Sequence, residues 1–445
     1  MRTGPPTRDR ARVARWGLGV LTLINLFNYL DRYVGAALVE SLRKSELHLS
    51  DKQLGWLPTA FIVVYMLASP FFGARGDRGS RPRLIAAGVA IWSVATGLGG
   101  LARNFISLFL ARAAVGIGEA AYGTISPALL ADYFPLEMRG RVFAVFSSAI
   151  PIGSAAGYVV GGLINQHWGW RAAFFVAGFP GLALAFLAAR LVDPPRGAQD
   201  KERVEGGGGD PEDSLPDDPG AAGSAAAEAA PGPAKGAAGV LQGYRELLKN
   251  RPYALAVLGY AAYTFALGGV AYWMPAFLER VRHVPSAQAT VQFGLIVVAT
   301  GFAGTFAGGW LGDYFLRRSK QAYLWLCGWS ALAAAPLTWV AFAASSRPLY
   351  MSALIGAQVF VFLSTGPINS AIINAVRPGA RATAVALSIF AIHLFGDVPS
   401  PFAIGVISDA TSLGQALLIV PVAIALGGLI WLYAAWTGDG RRKTR

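Results

Sequence analysis

Apolar runs of about 20 residues recur along the whole chain of 445 residues, separated by short polar or basic stretches. Each run is long enough to cross a hydrocarbon layer of about 30 Å as a helix. The pattern predicts twelve spans: 16–38, 54–73, 83–102, 105–130, 141–164 and 171–192, then 252–278, 288–313, 321–344, 347–373, 381–407 and 412–436. Helices satisfy their backbone hydrogen bonds internally, which lipid demands of any spanning segment. The expected fold is therefore an all-α membrane protein.

The pattern lapses once, over residues 193–250, which hold 11 of the 25 acidic residues and runs such as Gly206 to Gly209. That composition cannot build a core and predicts a linker between two sets of six spans. Its end differs, since Val240, Leu241, Tyr244, Leu247 and Leu248 fall at helical spacing opposite Arg245 and Lys249. An amphipathic helix at the membrane surface is expected near 240–250. The domain plan is a 1–15 N-terminal segment, a 16–192 bundle, the linker, a 252–436 bundle and a basic 437–445 tail.

Composition excludes a water-soluble enzyme. Hydrophobic residues make up 54% and charged residues 14%, against about 25% charged in soluble domains. The net charge of +13 would suit nucleic acid, but no soluble module is present to carry such binding. The basic residues instead report topology. The N-terminus, the loops after even-numbered spans, the linker and the tail hold 27 of the 38 Lys and Arg residues; the opposite loops hold 8. The positive-inside rule then places both termini in the cytoplasm. Arg2, Arg8, Arg10, Arg12 and Arg15 precede a first run too long for a signal peptide, so an uncleaved anchor is expected. With no targeting signal elsewhere, a bacterial inner (plasma) membrane is the expected address. Cys327 stands alone in an apolar run and reads as a small buried hydrophobe. No metal site, cofactor motif or catalytic constellation is found, and a monomer is expected.

The two sets of spans echo each other. Gly73-Ala-Arg-Gly-Asp77-Arg78 closes the second span and Gly309-Trp-Leu-Gly-Asp313 closes the eighth. Internal repeats of this kind mark secondary transporters, with the substrate site between the halves. Asp77, Arg78 and Asp313 suit a gate whose charges pair in one access state and part in the other. Arg81 and Arg83 suit either that role or a fixed topogenic one. Gly153, Gly157 and Gly161 recur every four residues, a face that lets another helix approach closely.

Charges inside spans are expensive and point to function. Asp31 and Arg32 lie in the first span and point about 100° apart, so each can find a partner on another helix. Arg112 and Glu119 are seven residues apart on one face of the fourth span. Glu119 could exchange a proton in an intermittently wet cavity, and Arg112 could hold an anionic headgroup or hold Glu119. A permanent structural ion pair is the alternative at both places. His393 and Asp397, four residues apart, share a face of the eleventh span; the histidine suits a helix contact equally well.

Several of these segments resemble known motifs. Gly73-x-x-x-Asp77-Arg78-Gly-Ser-Arg81 and Arg112-x-x-x-Gly116-x-Gly118 are similar to motifs of the major facilitator superfamily. Asn25-Leu-Phe-Asn28-Tyr-Leu-Asp31-Arg32-Tyr33, Gly116-Ile-Gly-Glu119-Ala-Ala-Tyr122, Ile150-Pro-Ile-Gly-Ser-Ala-Ala-Gly157-Tyr158 and His393-Leu-Phe-Gly-Asp397-Val-Pro-Ser400-Pro401 resemble the spinster family of lysolipid and sphingolipid transporters. The resemblance implies two pseudo-symmetric six-helix bundles with a cavity between them. It implies proton coupling through Asp31 and Glu119, and substrate contacts at Arg32, Arg112, Tyr122, Tyr158, His393 and Asp397. The expected activity is proton-coupled movement of an amphipathic lysolipid by alternating access. A carrier of small organic anions or drugs, and an uncoupled lipid scramblase, are the alternatives.

Overall fold

In the computed structural model, residues 7–198, 244–376 and 381–440 are described. Among them, ten helices are long and apolar enough to cross a membrane. One of these, Val145–Ala189, is 45 residues long and supplies both the fifth and sixth spans. The break falls at Gly169, whose φ of 80° is a left-handed conformation that glycine adopts without a Cβ penalty. The first helix, Thr7–Ala37, falls outside the ten. Its apolar run is interrupted by Asn25, Asn28, Asp31 and Arg32, and counting it gives the twelve spans expected.

The helix ends follow local chemistry. Ser50 starts the second span (Asp51–Arg78) with a capping box closed by Gln53, and Asn104 does the same with Ser107 for the fourth (Phe105–Tyr133). Such side chains satisfy amide donors that the first turn leaves unpaired. Asn250 caps the seventh span, Arg251–Arg280, with Pro252 in its first turn. The amphipathic stretch expected before that span is partly seen. Residues 244–249 are helical, with Leu247 buried and Leu248 exposed; residues 240–243 lie outside the described residues.

Two spans are interrupted. The tenth runs as Arg347–Phe362 and Thr365–Asn374. The eleventh runs as Arg381–Ile392 and Pro399–Ala410, joined by a wider turn of π-helix over His393–Asp397. Pro399 has no N–H to give to an upstream carbonyl, and π-turns inside helices recur at functional sites. The third, eighth, ninth and twelfth spans are Arg81–Gly100, Ser286–Leu316, Ala322–Ala343 and Ile419–Gly440.

We call the end where the first span starts the near end and the opposite one the far end. The halves join at the far end. One continuous apolar core there includes Leu38, Leu54 and Phe174 of the N-terminal half with Trp273, Phe277 and Ile404 of the C-terminal half. A separate core, around Leu21, Trp92, Tyr122 and Leu129, fills the near end of the N-terminal half. Backbones touch closely across the far-end seam. A Cβ at Gly55 would strike the Pro401 carbonyl, and one at Gly405 the Asp51 carbonyl. Within the N-terminal half, Gly153 and Gly157 face the Leu26 and Leu30 carbonyls, so the small-residue face carries the first span.

Candidate functional site

The charged residues of the first and fourth spans pair crosswise. Arg32 Nε donates to Glu119 Oε2 at 2.6 Å, and Arg112 Nη1 reaches Asp31 Oδ1 at 3.5 Å. Thr96, from the third span, donates to Asp31 Oδ2 at 2.7 Å. Neither same-helix pair bonds internally: Asp31 and Arg32 point to different partners, as their angular separation requires, and Arg112 serves Asp31 rather than Glu119. Asp31, Arg112 and Glu119 are buried, whereas the Arg32 side chain keeps 27% of its surface. Glu119 Oε1 is buried with no hydrogen-bond partner. The Arg32 guanidinium sits 5.0 Å from the ring centroids of Tyr29 and Phe61 and 5.2 Å from that of Tyr65. These rings hold a cation by their quadrupoles without neutralising it.

Between the halves lies a cavity of about 730 Å³, within the usual range for a ligand site. Its wall is built from Tyr33 of the first span, the fifth span (Phe143 to Tyr158) and the C-terminal half, and is mostly apolar. Asp397 is the charged residue on that wall among the described residues. His393 Nδ1 lies 2.9 and 3.0 Å from the two Asp397 carboxylate oxygens. Asp31, Arg32, Arg112 and Glu119 are not in that wall, whereas Tyr33, the residue after Arg32, is.

The expected tyrosines part company. Tyr158 lines the cavity, packs against Tyr33 and Phe293 at 5.1 Å between centroids, and donates its hydroxyl to the Ala271 carbonyl of the seventh span. Tyr122 instead lies in the near-end core, against Trp92 and Phe146, with its hydroxyl on the Leu21 carbonyl at 2.7 Å.

Of the expected gate, Arg78 is exposed, and Asp313, also exposed, accepts from the Tyr323 hydroxyl at 2.8 Å. The Asp77 side chain lies outside the described residues. Arg81 is buried and held within the N-terminal half. It pairs with Asp132, with Asp193 at 2.7 Å and with the Pro194 carbonyl at 2.6 Å, which ties the start of the linker to the third and fourth spans.

A second charged cluster, at the far end, was not anticipated from sequence. Arg280 Nε donates to Glu40 at 2.8 Å and its Nη2 to Asp51 at 2.9 Å. Ser408 donates to the same Asp51, and Asp409 accepts from the Asp51 and Lys52 amides at 2.8 and 2.9 Å. Lys44 reaches Glu279 at 2.9 Å. These contacts bind the short helix Val39–Lys44, which follows the first span, and the start of the second span to the seventh and eleventh, so the cavity is sealed from the far end. The available signal was the dipeptide Ser-Asp at both 50–51 and 408–409, where two spans meet the same end.

Comparison with known proteins accounts for this architecture. Residues 21–396 match the Major Facilitator Superfamily. Protein spinster of Drosophila melanogaster is 32% identical over 405 residues, covering 88% of this chain and 61% of that protein, so the chain spans about three fifths of that relative. The sphingosine-1-phosphate transporter of Danio rerio is 31% identical over 463 residues, covering 96% and 85%. This chain belongs to the spinster family. The fold agrees with the crystal structure of a bacterial homolog of the human lysosomal transporter spinster, in an inward-facing and unoccupied conformation. The TM-score is 0.79 at 23% identity, over 96% of this chain and 97% of that one. The spinster-family chain is thus a secondary transporter of the major facilitator fold and not an enzyme.

Proposed function

We propose that this transporter moves an amphipathic lysolipid across the membrane and couples that movement to protons. The cavity carries the reading: its wall is apolar enough for a hydrocarbon chain, and a partly exposed arginine, next in the chain to Tyr33 of that wall, is available to an anionic headgroup. The terminal nitrogens of Arg32 present a planar fork suited to phosphate, while its Nε is held by Glu119. Naming of one relative as a sphingosine-1-phosphate transporter is in keeping with that chemistry.

Protons enter through the same pair. The unpartnered Glu119 oxygen can accept a proton, which would neutralise the carboxylate and release Arg32 to the substrate. Loss of that proton restores the pair and expels the anion. The bias between access states is then the difference in affinity for proton and substrate that each state offers. Asp31, held by Arg112 and Thr96, sits one helical step away and is the second carrier in this scheme. With both termini in the cytoplasm, as the distribution of basic residues favours, the sealed far end faces outward and the cavity is in the state that exchanges with the cytoplasmic side.

Uptake of a labelled lysophospholipid into proteoliposomes, with and without an imposed pH gradient, tests the reading. Wild-type protein is expected to accumulate lipid when the gradient is present, and Glu119→Gln to equilibrate it at best. Accumulation by Glu119→Gln equal to wild type would sink the coupling scheme. Inhibition by soluble anions with no lysolipid movement would transfer the site to the small-anion class.

A further inference from the structure

Between Lys52 and Arg75 the second span carries no charge, yet it touches both arginines of the charged cluster. Its backbone lies against the fourth span at Gly116, where a Cβ would strike the Phe61 carbonyl and crowd the Tyr65 amide. Gly116 comes four residues after Arg112 and three before Glu119, so the three share one face of the fourth span. The close approach delivers the Phe61 side chain to that charged face. Its ring is 5% exposed, and the centroid lies 5.0 Å from the guanidinium carbon of Arg32 and 5.8 Å from that of Arg112. Among the described residues, Phe61 is the ring that both arginines share.

Two cations drawn to one ring also have two carboxylates within the cluster. Arg32 is held by Glu119 at 2.6 Å, and Arg112 by Asp31 at a looser 3.5 Å, with Thr96 as the other partner of Asp31. Tyr29 and Tyr65 add their rings to the surroundings of Arg32. When a proton neutralises Glu119, Arg32 loses its anion, and Asp31, its neighbour in the chain, is the other carboxylate of the cluster. A buried cation is costly without some compensating partner. An aromatic face compensates it by attraction alone and leaves its charge available to an arriving anion. Phe61 has no hydroxyl, so the ring is the whole of what it offers.

We propose that Phe61 is a positioning residue that seats both arginines. Its ring keeps Arg32 in place when Glu119 takes up a proton, so that the guanidinium meets an anionic headgroup instead of turning to Asp31, and it keeps Arg112 on Asp31. The proposal rests on the coupling scheme above and adds what prevents the two ion pairs from exchanging partners.

Replacing Phe61 with phenylalanines that carry one, two or three fluorines keeps the shape of the side chain and withdraws charge from the ring face step by step. With the full chain in proteoliposomes, uptake of labelled lysophosphatidylcholine driven by a pH gradient is expected to fall in the same steps. The loss at three fluorines should be about tenfold, on the scale of one desolvated contact between a cation and a ring. The melting temperature of the same proteins, which needs no substrate, is expected to fall in the same order. The same replacements at Phe174, buried in the far-end core, should lower neither quantity. Phe61→Leu, which keeps bulk without a ring, should transport no better than the trifluoro protein. Uptake and melting that ignore fluorination at position 61, or wild-type transport by Phe61→Leu, would reduce the ring to packing and overturn the proposal. A stepwise fall in melting temperature with no lipid uptake even by wild type would uphold the seat and sink the lysolipid reading instead.

Discussion

The N-terminal half brings four charged side chains from two spans to one place, with Arg32 and Arg112 answering Glu119 and Asp31. The C-terminal half offers one His–Asp pair within a single span and a large apolar recess beside it. Each half contributes six spans, yet the chemistry does not repeat. Helix paths are set by long apolar faces and tolerate many sequences. Charges in lipid are tolerated where another helix brings the counter-charge, so they gather where the packing allows four side chains to meet. An enclosed recess forms where side chains leave space. In this protein those two conditions fall on opposite sides of the central cavity, which gives one half the charge chemistry and the other the room.

Removing a charge on the crowded side should have the largest effect. Arg32→Ala leaves Glu119 buried without its partner, a change that typically costs about 3–5 kcal/mol. It should lower lysolipid uptake by about two orders of magnitude and lower the melting temperature. Arg32→Lys should recover part of both, since it restores the charge but not the fork or the stacking on Tyr29, Phe61 and Tyr65. Uptake in proteoliposomes and thermal melts in the same lipid measure the two effects. Wild-type behaviour of Arg32→Ala would mean that the division of labour between the halves is wrong.

A change at the far-end seam should come next in size. A Cβ at Gly405 would collide with the Asp51 carbonyl, a backbone atom that cannot rotate away. Gly405→Val should therefore hold the far end apart, lengthen distances measured between spin labels on the first and seventh spans there, and slow transport about tenfold, the effect of about 1.4 kcal/mol on a barrier. Unchanged distances would show that the seam yields by shifting whole helices.

Much of the fold could be read from the chain because a membrane span is an uninterrupted signal. Length alone located spans that the helices Arg81–Gly100 and Ala322–Ala343 reproduce to within a few residues. The loop between the fifth and sixth spans was harder. Asn165, Gln166, His167 and Arg171 announce it in sequence, but its turn rests on the single glycine at 169 inside a nearly continuous helix. In the site, Asp31, Arg32, Arg112 and Glu119 stood out because each is costly where it lies. Their crosswise pairing did not, since helical spacing relates residues on one helix and is silent about which neighbour a side chain meets. The far-end cluster was hidden for the opposite reason. Glu40, Asp51, Arg280 and Asp409 sit at helix ends, where charges are ordinary, and their meaning comes from 200 or more residues of sequence separation closing to hydrogen-bond distance.

The least disruptive way to probe the division between halves is through the His393–Asp397 pair. Its side chains keep 30% and 21% of their surface, so the interaction is partly screened and contributes little to stability compared with the enclosed pairs. His393→Gln retains a side-chain N–H able to donate toward Asp397 while removing the ring and any charge it carries. If the C-terminal half serves chiefly as a chamber, uptake should fall by no more than about threefold, less than 1 kcal/mol, with the pH-gradient requirement intact. A loss of gradient dependence in His393→Gln comparable to that of Glu119→Gln would place proton handling in both halves. The asymmetry drawn here would then be one of space alone and not of charge.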